Sequence, residues 1–120
     1  MATPAVHLLV ELSIDDGELE AFQNIAREMI AGSRTEPGTL SYEWYLHDDG
    51  KRCRLFETYA TGDDLLAHFN GPVVQQLIPK LLEHSILDRL EIFGDAGPQV
   101  EAALARFGAR FFPRWGGLDR

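Results

Sequence analysis

Residues 39–60, TLSYEWYLHDDGKRCRLFETYA, decide the fold. Two alternating, aromatic-rich runs, 39–48 and 51–60, flank Asp49-Gly50, a strong two-residue hairpin turn. The turn sets a register with Asp48 opposite Lys51 and pairs counted outward. Leu46 then faces Cys53, Trp44 faces Leu55, Tyr42 faces Glu57, and Leu40 faces Tyr59. These eight side chains share one face. Ser41, Glu43, Tyr45 and His47 share the other with Arg52, Arg54, Phe56 and Thr58. A one-residue slip would exchange the two faces, so the register is a sharp expectation.

Upstream, residues 5–13 (AVHLLVELS) alternate as a strand with Val6, Leu8, Val10 and Leu12 on one face. Ser13 or Asp15 can cap the next element, and Asp15, Asp16 and Glu18 suit a helix N-terminus. Leu19, Phe22, Ile25, Ala26, Met29 and Ile30 recur at helical spacing to about Gly32 or Ser33. Glu36-Pro37-Gly38 sets a turn.

Downstream, Thr61-Gly-Asp-Asp opens a short helix with Leu65, Leu66 and Phe69 apolar. Gly71-Pro72 interrupts it, and Pro72 starts a second helix to about His84, which Pro79 should kink or shorten. Ile86 to Phe93 reads as a last strand, with Leu90 and Ile92 on one face and Leu87, Arg89, Glu91 and Phe93 on the other. Residues 98–108 (PQVEAALARFG) read as a further helix, and the tail ARFFPRWGGLDR has no period.

The order strand, helix, strand, strand, helix, strand is the β-α-β-β-α-β ferredoxin-like arrangement of the α+β class. It predicts a four-stranded antiparallel sheet with helices on one face over residues 1–94. Residues 95–120 then form a C-terminal helical extension and aromatic tail of the same domain. Val100, Ala103, Leu104 and Phe107 give that extension an apolar stripe, and Phe111, Phe112 and Trp115 add apolar area. It should dock, over a pocket mouth or across a dimer, or else simply pack against its own helices.

Composition excludes several classes. The 120 residues hold 19 acidic and 11 basic side chains, a formal charge of −8. Nucleic acid and anionic membrane surfaces need clustered Lys and Arg, so neither is expected as a partner. Cys53 is the single cysteine and builds neither a disulfide nor a cysteine metal site. No apolar run approaches the ~20 residues of a membrane span. Residues 1–4 lack the basic stretch of a signal peptide, so a cytoplasmic single-domain protein is expected. No metal-ligand cluster, glycine-rich phosphate loop or nucleophile elbow is present.

The predicted sheet faces differ. One is apolar: Val6, Leu8, Val10, Leu12, Leu40, Trp44, Leu46, Leu55, Leu90 and Ile92, which should lie under the helices. The other mixes Leu9, Tyr45, Phe56, Leu87 and Phe93 with Glu11, Glu43 and Glu91 against Arg52, Arg54 and Arg89. Five apolar groups among balanced charges suggest a covered surface, hence a twofold homodimer through the open sheet face. A solvated antiparallel face is the competing reading.

Three pieces, Pro37-Gly-Thr-Leu-Ser-Tyr42-Glu, Leu55-Phe-Glu57-Thr-Tyr59 and Ala67-His68-Phe-Asn-Gly-Pro72, resemble the antibiotic biosynthesis monooxygenase family over residues 5–94. The resemblance implies a dimeric α+β barrel and a cofactor-independent oxygenase acting on a quinol or polyphenol. Tyr59 stands where the family often has Trp, and Val73 where it often has a second His. Heme-degrading relatives carry an iron-ligating His on the helix after that Pro. Here the stretch VVQQLIPKLLEH has only His84, at its far end, so no heme and no other cofactor is expected.

Glu57 and His68 are the expected catalytic residues. Glu57 is the one carboxylate on the helix-facing side of the hairpin, so it needs partners or a raised pKa. A structural bond to a helix terminus or backbone amides would also satisfy it. His68 lies on the helix that covers the same face, and its ordinary pKa of about 6.5 suits proton transfer from a phenol. Asp64, one turn earlier, is its expected orienting partner; a capping or surface histidine is the alternative. Tyr42, Trp44, Tyr59 and Leu55 are the expected substrate-binding wall, able to stack a small aromatic or simply to fill the core. His7 and His47 belong to the other face, and Cys53 reads as a buried, inert thiol.

Overall fold

A computed structural model describes residues 5–118. Residues 1–4, on which the reading of the N-terminus rests, and residues 119–120 lie outside the described residues. The hairpin forms around Gly50, whose positive φ of 68° suits a residue without a side chain. Strands β2 (Thr39–Leu46) and β3 (Arg52–Tyr59) pair with Leu46 opposite Cys53, Trp44 opposite Leu55 and Tyr42 opposite Glu57. The far end differs. Thr39, not Leu40, faces Tyr59, and the register shifts between Thr39 and Ser41. Thr39 is tied into the preceding turn, its N–H donating to the Glu36 carbonyl at 3.2 Å and its hydroxyl to Glu36 Oε1 at 2.9 Å. The extra residue bulges outward, leaving Leu40 60% exposed instead of inside.

Strand β1 (Val6–Ile14) lies between β3 and β4 (Ser85–Phe93), antiparallel to both. A second shift, between Glu11 and Leu12, sets Leu87 opposite Leu12. Leu87 therefore turns to the helix side, correcting its predicted place on the open face, and Ile86 is exposed instead. A fifth strand, β5 (Arg110–Phe112), runs parallel to β4, with Ile92 opposite Phe111. The sheet is thus five-stranded and mixed, ordered β2-β3-β1-β4-β5, where four antiparallel strands were predicted. It is open and does not close on itself. Three residues are too few to show alternation, which is why the tail reads as aperiodic.

Helix α1 (Leu19–Ser33) buries Phe22, Ala26 and Met29. Neither Ser13 nor Asp15 caps it with a side chain; the Ser13 hydroxyl bonds Asp88, and Asp15 offers its carbonyl to the Glu18 N–H at 3.0 Å. Helix α2 (Gly62–Asn70) is capped by Thr61, whose hydroxyl oxygen accepts from the Asp64 N–H at 3.2 Å and donates to Asp64 Oδ2 at 2.8 Å. Residues Val73–Leu77 form a π-helical turn that leads into the single turn of α3 (Ile78–Leu81). Pro79 accounts for this: in an α-helix its ring would meet the carbonyl four residues back, and the wider turn relieves it. Helix α4 (Pro98–Ala105) buries Val100 and Leu104. Among the described residues, no helix is long and apolar enough to cross a membrane.

The helices and sheet enclose two apolar clusters. One gathers Val6, Leu8, Tyr59, Leu65, Phe69, Ile92, Val100 and Leu104; the other Leu12, Phe22, Met29, Cys53, Val73 and Leu81. Val10 touches both. Gly62 lets the start of α2 approach the loop before α4, where an added Cβ would overlap the Ala96 carbonyl oxygen. Gly62→Ala is therefore expected to destabilise the fold by about 1–3 kcal/mol, the usual range for overpacking. An unchanged urea midpoint would contradict that close approach.

Candidate active site

The pleat of β3 places Leu55, Glu57 and Tyr59 on the helix side, and cross-strand pairing sets Tyr42 beside Glu57. The Thr61 cap fixes the start of α2, so Leu65, His68 and Phe69 fall on its buried face. Glu57 and His68 meet there, 5% and 4% exposed. His68 Nε2 lies 3.8 Å from Glu57 Oε1, beyond hydrogen-bond reach. The Tyr42 and Tyr59 rings flank the imidazole, with centroids 5.5 and 5.2 Å away. The Tyr59 hydroxyl donates to Glu57 Oε1. Glu57 is thus held by a phenol, not by a helix terminus.

The partner of His68 is Glu36, not Asp64. His68 Nδ1 donates to Glu36 Oε1 at 2.7 Å, and the Thr39 hydroxyl donates to the same oxygen at 2.9 Å. An ionised carboxylate only accepts, so Nδ1 carries a proton and a neutral ring presents its lone pair at Nε2, toward Glu57. Asp64 is engaged with Thr61 instead. Sequence reading missed Glu36 because it precedes Pro37-Gly38 and looks like part of a turn. The adjacent bulge is the same Glu36–Thr39 contact seen from the strand side.

Burial dominates the electrostatics. It raises the Glu57 pKa above its ordinary value, against the opposing pull of His68 and the Tyr59 hydrogen bond. Burial and the nearby Glu57 charge also raise Tyr42 and Tyr59 well above the ordinary phenol value, so both keep their protons at neutral pH. Cys53 is fully buried and its thiol is pushed up to about 11, which suits inert packing.

Tyr42, Leu55, Glu57 and His68 all line one cavity, of about 100 Å³, between the two apolar clusters. Its remaining walls are hydrocarbon and aromatic rings from the sheet and the helices. Tyr59 is fully buried and stands behind Glu57. Trp44 stacks edge-on with Phe22 and Tyr42, at 6.1 and 5.7 Å, away from the cavity. The structure therefore brings four of the six predicted site residues to one cavity and places Tyr59 and Trp44 behind them. His84 pairs with Glu18 at 3.3 Å. His7 bonds the Thr58 hydroxyl at 2.9 Å on the open face, and His47 sits by Asp49 at the hairpin tip. Glu11 is within 3.4 Å of Arg54 and 3.8 Å of Arg89, so these charges pair within one chain. Among the described residues, no group of three His, Cys, Asp or Glu side chains could hold a metal ion.

The fold is a ferredoxin-like sheet with Glu57 and His68 buried together on its helix-covered face. The chain matches the antibiotic biosynthesis monooxygenase family over residues 5–80 and belongs to it. MupZ from Pseudomonas fluorescens is similar in structure over 100% of this chain and 92% of its own, at 21% identity and a TM-score of 0.89. A conserved protein of Methanosarcina mazei covers 75% of this chain and 91% of its own, at 18% identity and a TM-score of 0.68. Rv0793 of Mycobacterium tuberculosis covers 73% of this chain and 91% of its own, at 24% identity and a TM-score of 0.65. At these identities the likenesses establish the fold. No curated protein matches the sequence.

Proposed function

We propose that this chain is a cofactor-independent, monooxygenase-like oxidoreductase acting on a small phenol or quinol held between sheet and helices. One observation carries the reading: His68, held from behind by Glu36, and the buried Glu57 both line one largely apolar cavity. His68 Nε2 takes the phenolic proton, and the resulting phenolate gives an electron to oxygen far more readily than the phenol. The phenoxyl radical and superoxide so formed join at a ring carbon. Glu57, whose pKa burial raises, protonates the peroxide, and loss of water leaves the quinone, so the substrate supplies all the electrons. At about 100 Å³, against roughly 150 Å³ for an engineered cavity that admits benzene, the cavity takes a single ring only with some movement of its walls and takes a fused ring less readily. Oxygen uptake with a monocyclic hydroquinone, and with menadiol- or anthrone-like compounds, tests this. Acceleration over the uncatalysed oxidation is expected, and its absence across the panel would overturn the reading.

A second reading rests on the same base and acid facing one cavity. Such a pair can move protons in an isomerisation or decarboxylation that needs no oxygen. Product formed under nitrogen would favour it. Ligand binding without turnover in either atmosphere would favour a non-catalytic binding protein of the same fold. In each case we place a second copy of the chain on the open sheet face, where the half-exposed Tyr45 and Phe56 rings pack 5.6 Å apart. Light scattering should give twice the chain mass.

The raised Glu57 pKa carries a pH signature. Folding holds this proton to higher pH than the unfolded chain does. The stabilisation is full below the ordinary value of 4.5 and is lost as pH rises through the folded value. Glu57→Gln keeps the shape and removes the titration. Wild type should therefore lose stability relative to Glu57→Gln as pH rises from 4.5; parallel curves would contradict the assignment.

A further inference from the structure

We propose that Phe107 sets the size of ligand the cavity admits; the inference rests on the cavity being the substrate site. Of the residues lining the cavity, Leu82 and Phe107 are the most exposed, at 37% and 38%. A side chain that borders both the cavity and solvent marks its mouth. The mouth therefore lies between the end of α3 and the turn after α4. Phe107 lies outside the 5–80 stretch matched by the family, so this chain's own extension supplies that wall.

The extension is fixed on both sides of Phe107. Val100 and Leu104 are buried in the first apolar cluster. After the turn, Phe111 packs on that cluster and Phe112 stacks on Phe93 at 5.3 Å, with its carbonyl accepting from the Gly94 N–H at 3.0 Å. The turn is closed by Phe107 N–H to Leu104 O and Gly108 N–H to Ala105 O, each 3.0 Å, and reverses at Gly108, where φ is +75°. The Phe107 ring itself rests edge-on against Phe69, at 5.7 Å, with Arg106 stacked 4.9 Å from its centre. Phe69 neighbours His68 on α2. The sheet walls are locked by their ladders and Leu81 is buried, so a larger ligand meets its softest boundary at the exposed rim of Leu82 and Phe107, where Phe107 is the bulkier side chain. Swinging this half-exposed ring opens no void inside the core.

Calorimetric titration under nitrogen with phenol and 1-naphthol tests the inference without requiring turnover. Wild type should prefer phenol. Phe107→Ala should raise 1-naphthol affinity by at least about tenfold, a size discrimination typical of apolar pockets, and leave phenol nearly unchanged. Phe107→Leu should shift the ratio in the same direction, and it carries the test if the alanine variant does not fold. An unchanged naphthol-to-phenol ratio, or no binding of either compound to wild type and variants, overturns the size filter. His68→Ala separates this from the proposed function. A retained size preference in a chain that oxidises phenols no better and no worse without His68 overturns the chemistry and keeps the filter.

Discussion

Replacing His68 with alanine is expected to lower kcat by about 10²–10⁴-fold, the usual contribution of a positioned general base. His68 lines the cavity, has its Nδ1 committed to Glu36 at 2.7 Å, and keeps Nε2 clear of any hydrogen bond to Glu57. Under the proposed chemistry, a phenol in the cavity would meet a base already oriented to accept its proton. Glu36→Gln should lower kcat with little change in KM, because Glu36 holds the imidazole and does not line the cavity. Added imidazole should partly restore the alanine variant by occupying the vacated ring space. Equal turnover by wild type and His68→Ala would remove this residue from the chemistry.

Deleting residues 96–120 is expected to collapse the stability of the chain. Val100 and Leu104 are buried in the same cluster as Val6, Leu8, Leu65 and Ile92. Two fully buried aliphatic side chains are worth about 3–6 kcal/mol together, against a total stability of roughly 5–15 kcal/mol for a typical domain. The deletion also strips β5 from β4 and uncovers Phe69. The shortened chain should aggregate or unfold at room temperature. A soluble truncation with an unchanged unfolding midpoint would show that the extension is dispensable to the core.

The sequence made the hairpin legible because local chemistry determines it: Asp49-Gly50 fixes the turn, and alternation fixes the faces. Glu57 and His68 were legible for related reasons, one as a carboxylate on an apolar face and the other as a histidine on a short amphipathic helix. What alternation could not reveal were its own interruptions. Leu40 and Leu87 lie at register shifts, one beside the Glu36–Thr39 turn contacts and the other in the pairing of β4 with β1, and each reads in sequence as one more step of a regular strand. Glu36 was hidden for another reason. Its contact with His68 spans 32 residues and exists only because α2 crosses over the start of β2. The β4–β5 pairing is likewise non-local and only three residues long.

The most direct test of the central claim is a crystal structure with a monocyclic hydroquinone bound. The ring is expected in the cavity between the hairpin and α2, with one hydroxyl oxygen about 2.6–3.2 Å from His68 Nε2, the reach a general base requires. A ring seated on the open sheet face with the cavity empty, or a hydroxyl turned away from His68 toward the hydrocarbon wall, would contradict it.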